Sequence, residues 1–209
     1  LSTFNRSNGD TQTWSLSLVG DWNNTIINGV QQNRTHDQVH ETTAVNATPL
    51  TYDVKGNLTA NSNGQVYAWD IENRLLTTVV PGTPPTNASY TYDALGRRVS
   101  KTVNGATTVY VSAGSQEIAE YENGALPANP TRQYVYGTYI DEPLCMIVNT
   151  GVAAQRYYYH ANDLYSVAAL TDSAGAVVER YKYDPYGKVA ILAPDGVTVR
   201  TASLYGNPW

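Results

Sequence analysis

The stretch Tyr157–Gly187, YYYHANDLYSVAALTDSAGAVVERYKYDPYG, decides the fold class of this chain. Tyr157 to Leu170 and Ala176 to Tyr183 are rich in β-branched and aromatic residues, and Thr171-Asp172-Ser173-Ala174-Gly175 punctuates them, which predicts a hairpin. A second turn follows at Asp184-Pro185-Tyr186-Gly187, where Pro185 fixes φ and Gly187 permits a positive one. The unit reads strand, turn, strand, turn.

Upstream, the same grammar recurs. Tyr52-Asp53-Val54-Lys55-Gly56-Asn57-Leu58, Trp69-Asp70-Ile71-Glu72-Asn73-Arg74-Leu75 and Tyr92-Asp93-Ala94-Leu95-Gly96-Arg97-Arg98-Val99 each run aromatic, Asp, two residues, Gly or Asn, one residue, aliphatic. Internal repetition of this kind marks an array of equivalent supersecondary units. Its physical logic is a turn in which the Asp carboxylate accepts from the amides that follow it and Gly or Asn supplies a left-handed residue. Spacing is uneven, 17 residues from Asp53 to Asp70 and 23 from Asp70 to Asp93, because the second gap holds the loop Pro81-Gly82-Thr83-Pro84-Pro85, which is barred from a central strand. Return turns are expected at Asn63-Gly64, Asn104-Gly105 and Asn123-Gly124.

Taken with the stretch from Tyr158-Tyr159-His160 through Leu164, Ser166-Val167, Ala169-Leu170-Thr171-Asp172, Gly175, Val177-Val178, Arg180-Tyr181 and Tyr183-Asp184-Pro185-Tyr186-Gly187, these repeats resemble the YD repeats and repeat-associated core of RHS/YD-repeat proteins. Asn162 stands where the family usually has Asp, and Tyr165 where it usually has Gly. The resemblance implies an all-β chain of consecutive antiparallel hairpins forming a curved sheet, part of a shell-like β-spiral. It divides the sequence into divergent hairpin repeats over 1–50, YD repeats over 51–130 and a truncated repeat-associated core over 131–209. It further implies a secreted or surface-displayed protein, often bacterial, whose repeats enclose a C-terminal effector. The aspartates with which toxin-bearing members cut themselves would fall beyond Trp209, so the chain reads as a non-catalytic structural segment, cut from a longer one.

Composition bounds the remaining possibilities. With 209 residues the chain is long enough for one large β domain or two small ones. Thirteen Lys and Arg against 18 Asp and Glu give a net charge of −5, the opposite of the basic face a nucleic-acid partner requires. Seventeen Tyr against one Phe suit a thin sheet, since a Tyr ring packs while its hydroxyl stays wet. No apolar run approaches a membrane span of about 18 residues, and the chain opens without a signal-type leader. Cys145, within Leu144–Val148, reads as a small buried hydrophobe rather than a reactive thiol.

Residues 1–48 alternate apolar and polar positions around Trp14, Trp22 and Asn28-Gly29, which predicts strands, whereas Arg34 to Glu41 is the one place a helical turn could hide. His36 and His40 lie four apart there, but Glu41 follows the second His and no third ligand is apparent, so a solvated loop is the better reading than a zinc site. His160 with Asp163 and Ser166 could be drawn as a base and nucleophile, yet a strand His satisfied by a turn is commoner. The run Arg97-Arg98-Val99-Ser100-Lys101 is expected to face solvent. After Gly187 the sequence predicts strands at Val189–Leu192 and Val197–Leu204 around the turn Ala193–Gly196. The residues singled out are therefore turn and repeat positions: Tyr52, Asp53, Gly56, Trp69, Asp70, Tyr92, Asp93, Gly96, Arg97, His160, Asp172, Gly175, Tyr183, Asp184, Pro185 and Gly187. No cofactor or metal is expected. The expected partners are the rest of the shell and an enclosed effector; the alternatives are other copies of the chain paired through open edge strands in a fibre or array, and a glycan or cell-surface ligand stacked on exposed Tyr or Trp.

Overall fold

The computed structural model describes residues 3–5, 9–139, 142–149 and 153–208. Every regular element in it is a strand, and every pairing is antiparallel between chain neighbours. The chain divides into two compact units, residues 1–91 and 92–209.

The first unit opens with β1 (Thr3–Asn5), β2 (Thr11–Leu16), β3 (Trp22–Ile27), β4 (Val30–His36), β5 (Thr42–Val45) and β6 (Thr48–Pro49), hydrogen-bonded in chain order. Asn28 and Gly29, at φ 50° and 83°, close the β3–β4 hairpin with both residues left-handed, the conformation that matches strand twist and that Asn-Gly adopts most cheaply. Then come β7 (Thr51–Tyr52), β8 (Leu58–Ala60), β9 (Val66–Trp69), β10 (Leu75–Val80) and β11 (Thr86–Tyr92). Its apolar centre is Trp14, buried against Trp22 with ring centroids 6.3 Å apart, and Arg34 stacks its guanidinium 4.9 Å from the Trp22 ring.

In the second unit follow β12 (Arg98–Val103), β13 (Ala106–Ala113), β14 (Gln116–Glu122), β15 (Arg132–Tyr136), β16 (Pro143–Asn149), β17 (Ala154–Ala161), β18 (Val167–Thr171), β19 (Val177–Tyr183), β20 (Val189–Leu192) and β21 (Val199–Arg200). Its core comprises Tyr134, Met146, Tyr159, Val167, Leu170 and Tyr181, with Tyr205 of the chain's last segment packed on it. Met146 and Leu170 are wholly buried. Register explains the grouping: Tyr134 lies opposite Met146 and Tyr159 opposite Leu170, and directly opposed antiparallel residues share a face. Cys145 is buried here, and burial pushes its thiol pKa up.

Four expectations need correction. The segment from Tyr157 to Leu170 is two strands, β17 and β18, because Asn162–Ser166 is itself a turn. No helical turn lies between Arg34 and Glu41; β4 runs to His36 and Asp37 turns the chain. Only Val199–Arg200 of the segment from Val197 to Leu204 is strand, since Ser203 Oγ accepts from the Tyr205 and Asn207 amides in a local turn and its hydroxyl donates to Glu179 of β19. The turn at Asn63-Gly64 is governed by Asn61, whose Oδ1 accepts from the amides of Asn63 and Gln65. The sequence also predicts turns at Asp141-Glu142-Pro143 and Asn149-Thr150-Gly151, which fall partly outside the described residues.

Candidate functional site

One turn recurs nine times among the described residues, beginning at Ser17, Asp37, Asp53, Asn61, Asp70, Asp93, Asn162, Asp172 and Asp184. In each, the amide of the first residue donates to the carbonyl of the fifth, and the amide of the fourth donates back to the first. The first side chain then accepts from the amides of the third and fifth. Asp53 takes Lys55 and Asn57 at 2.8 and 2.9 Å; Asp93 takes Leu95 and Arg97, both at 2.9 Å. Asp172 takes Ala174 and Ala176, both at 2.9 Å, and Asp184 takes Tyr186 and Lys188 at 2.9 and 2.8 Å. These bonds hold the Asp53, Asp70 and Asp93 carboxyls below the ordinary carboxylate range; the Asn57 side chain, the Arg74 amide and the Arg97 side chain respectively contribute most.

The fourth position is left-handed throughout. Gly56, Gly96, Gly175 and Gly187 hold φ between 78° and 85°, while Asn73 (62°), His40 (69°) and Tyr165 (60°) hold it without being glycine. His40 is therefore a turn residue, and its Nδ1 lies 3.0 Å from Asp21 Oδ2. At the Asp70 and Asp93 turns an arginine closes the ring: Arg74 Nε donates to Asp70 Oδ2 at 2.6 Å and Arg97 Nε to Asp93 Oδ2 at 2.7 Å.

The aromatics before these turns use their polar ends. Tyr52 donates to the Thr42 carbonyl at 2.7 Å, Trp69 Nε1 to Leu58 at 2.7 Å, and Tyr183 to Val167 at 2.9 Å; Tyr92 precedes Asp93 at the end of β11. Pro185 occupies the second position of the Asp184 turn, where its fixed φ costs nothing. His160 is exposed, with Nε2 2.9 Å from Thr171 Oγ1, and the Ser166 amide is engaged by Asn162, so the structure does not assemble His160, Asp163 and Ser166 into a catalytic geometry. The basic run does not act as one solvent face: Arg97 belongs to its turn and reaches the Gly114 carbonyl, Arg98 lies 4.5 Å over the Tyr110 ring, and Lys101 lines a cavity.

That cavity, of about 590 Å³, lies in the second unit. Arg98 and Lys101 of β12, Thr108 and Tyr110 of β13, and Glu117, Glu120 and Glu122 of β14 line it together with Arg132 of β15 and part of the closing segment 202–208. Glu120 is buried, with Tyr134 donating to Oε1 at 2.7 Å and Arg132 to Oε2 at 2.8 Å; the same Arg132 nitrogen reaches Glu122 at 2.6 Å. A second buried carboxylate, Glu179 on β19, is wholly inaccessible. It accepts from the Tyr181 hydroxyl (2.5 Å), the Ser203 hydroxyl (2.6 Å), Arg200 (3.0 Å) and the Leu204 amide (3.2 Å). Burial, with Glu179 beside it, pushes the Tyr181 phenol well up. Neither Glu120 nor Glu179 was foreseen, because an acidic residue alternating along a strand reads as solvent-facing and, Tyr181 apart, the partners lie 12 to 25 residues away. No group of three His, Cys, Asp or Glu among the described residues has metal-holding geometry.

A family model described as Teneurin YD-shell matches residues 8–192. The chain belongs to the YD-shell family of RHS/YD-repeat proteins. Among similar curated proteins, the tRNA(Glu)-specific nuclease WapA of Bacillus subtilis subsp. natto (strain BEST195) is 34% identical over 155 residues, 74% of this chain. The tRNA nuclease WapA of Bacillus subtilis (strain 168) is likewise 34% identical over 155 residues. The matched part spans only 6% of the length of each. Among solved structures, TcdB2-TccC3 without its hypervariable C-terminal region superposes with a TM-score of 0.64 at 18% identity, covering 92% of this chain and 11% of that one. Intact TcdB2-TccC3 gives 0.60 at 17% identity over 90% of this chain and 10% of that one. The YD-shell chain therefore shares the fold of part of these much longer chains, and no helix among the described residues is long and apolar enough to cross a membrane.

Proposed function

We propose that this chain is a stretch of non-catalytic wall in a secreted or surface YD-shell protein, enclosing or scaffolding an effector. The observation that carries this reading is the hairpin array itself: among the described residues strands pair only with their chain neighbours, and one turn, repeated nine times, joins nine of those pairs. Such a plan extends a sheet indefinitely without needing a new partner element, as a wall requires. The buried polar groups support the same reading. Glu120 and Glu179 have both carboxylate oxygens engaged by hydroxyls, an amide and guanidinium groups of the chain itself, which suits structure rather than turnover.

The WapA relatives are nucleases by name, and their match to this chain covers a small part of them. On the wall reading, any such activity resides outside residues 1–209. Limited proteolysis of the natural protein carrying this segment tests it, with and without the hairpins from Tyr52 to Arg74. An effector protected in the intact protein and cut after the deletion is the expected result. Equal cleavage of both proteins would overturn the wall reading.

A further inference from the structure

Residues three apart on a strand ordinarily face opposite ways, yet Glu117 and Glu120 line the same cavity. A β-bulge is the cause. Val111 pairs with Ala119 but the next residue, Ser112, pairs with Glu117, so Ile118 is the extra residue and the side-chain parity flips across it. Bulges re-aim side chains, and this one brings a second acidic residue to the same cavity.

The surroundings leave that second carboxyl poorly compensated. On β14, Glu120 already uses Oε1 for Tyr134 and Oε2 for Arg132, and Glu122 shares the same Arg132 nitrogen. On β12, Arg98 stacks on Tyr110, and Lys101 lines the cavity beside it. On β15, Arg132 is committed to Glu120 and Glu122, and its Nε has no partner. The closing segment contributes Ala202, Ser203, Gly206, Asn207 and Pro208, none of them charged. Burial first, then Glu120, push the Glu117 carboxyl up to about 7.

We propose that a proton held on Glu117 keeps segment 202–208 closed over the cavity and that its loss loosens the segment, making Glu117 a pH-sensitive latch. The mechanical link runs through Arg132. Arg132 holds Glu120, and Gly206 is seated so tightly on the Arg132 guanidinium that a Cβ there would collide with it. The segment's other attachments are Ser203 and Leu204 to Glu179 and the Tyr159 hydroxyl to Asn207 at 3.0 Å. With Glu117 ionised beside the Glu120 and Glu122 of its own strand, wider access of water to the cavity accommodates the charge, and segment 202–208 lines one side of that cavity.

The sign follows from proton linkage. The closed state, with the raised carboxyl, binds more protons than an open state in which Glu117 titrates nearer its ordinary 4.5, so opening becomes easier as pH rises through that window. Between pH 6 and 8 the linkage relation gives about five- to tenfold more opening, according to how far the pKa relaxes. Deuterium exchange of the Leu204, Tyr205 and Asn207 amides in the 209-residue protein, corrected for intrinsic rates, reads this directly. Wild type should lose protection by that factor and Glu117→Gln should show none of it; a flat wild-type response, or the same response in both, would overturn the latch. Carbon-13 NMR of the Glu117 carboxyl gives a check that needs no variant: a midpoint near 7 supports the latch, and one in the ordinary carboxylate range refutes it.

Discussion

Glu179→Gln isolates the buried carboxylate without changing its size. In the native chain both oxygens are occupied, Oε1 by the Tyr181 and Ser203 hydroxyls and Oε2 by Arg200 and the Leu204 amide. The substitution removes the charge, leaves Arg200 facing a neutral amide, and turns one acceptor into a donor toward groups that also donate. Hydrogen bonds to a charged group are worth about 1.5–3 kcal/mol against roughly 0.5–1.5 for neutral ones. A loss of about 1 kcal/mol at each of the three side-chain bonds gives roughly 3 kcal/mol, at the lower edge of what breaking a buried ion pair costs. Three of the four tryptophans, Trp14, Trp22 and Trp69, belong to the first unit, so tryptophan fluorescence is the wrong probe. Amide exchange of Ala169, Leu170, Arg180 and Tyr181 is the right one, and roughly 3 kcal/mol corresponds to about a hundredfold or more loss of protection there. A loss below about fivefold would refute the stabilising role assigned to the Glu179 carboxylate.

Three further outcomes are expected. Tyr165 holds φ 60° where sister turns use glycine, and its ring stacks on Tyr139 at 4.5 Å; in a Tyr139→Ala background, Tyr165→Gly should therefore raise the urea midpoint, by about 0.5–1 kcal/mol of stability once glycine's extra chain entropy is subtracted. Asp93→Ala strips two amides and Arg97 of their acceptor and should lower the urea midpoint, whereas Asp93→Asn should lower it less, because Asn162 serves the same two amide positions in its own turn. Asp53, Asp70, Asp93 and Asp195 all have depressed pKa values, Asp195 down to about 2, chiefly through Thr198. Depressed carboxylates stabilise above their unfolded pKa and lose that contribution as pH falls, so melting temperature should decline from about pH 5 toward pH 2.

The strands and the Asp-led turns were legible because alternation and turn chemistry are local. The Asp53, Asp70, Asp93, Asp172 and Asp184 turns carry their signal within five residues, and the relevant hydrogen bonds close within the same five. The first 48 residues hid the same turn because its key positions are disguised: Ser17 replaces Asp at its start, and His40 replaces Gly at its fourth position. Aligning Asp37-Gln38-Val39-His40-Glu41 with Asp53–Asn57 would have found it and removed the helical alternative. Asn162 and Tyr165 masked a turn in the same way, which is why β17 and β18 read as one strand. The cavity could not be read at all. It depends on a bulge at Ile118 that local pattern does not mark, and on Ser203 and Arg200 returning to Glu179 across more than 20 residues.

The central claim is that consecutive hairpins of this chain form part of an enclosing wall. Cryo-electron microscopy of the natural protein that contains the segment tests it most directly. The account predicts that β7 to β21 trace as successive strands of one continuous wall, with density for another part of the protein on its enclosed side. Strands open to solvent on both faces, with no enclosed volume beside them, would contradict it.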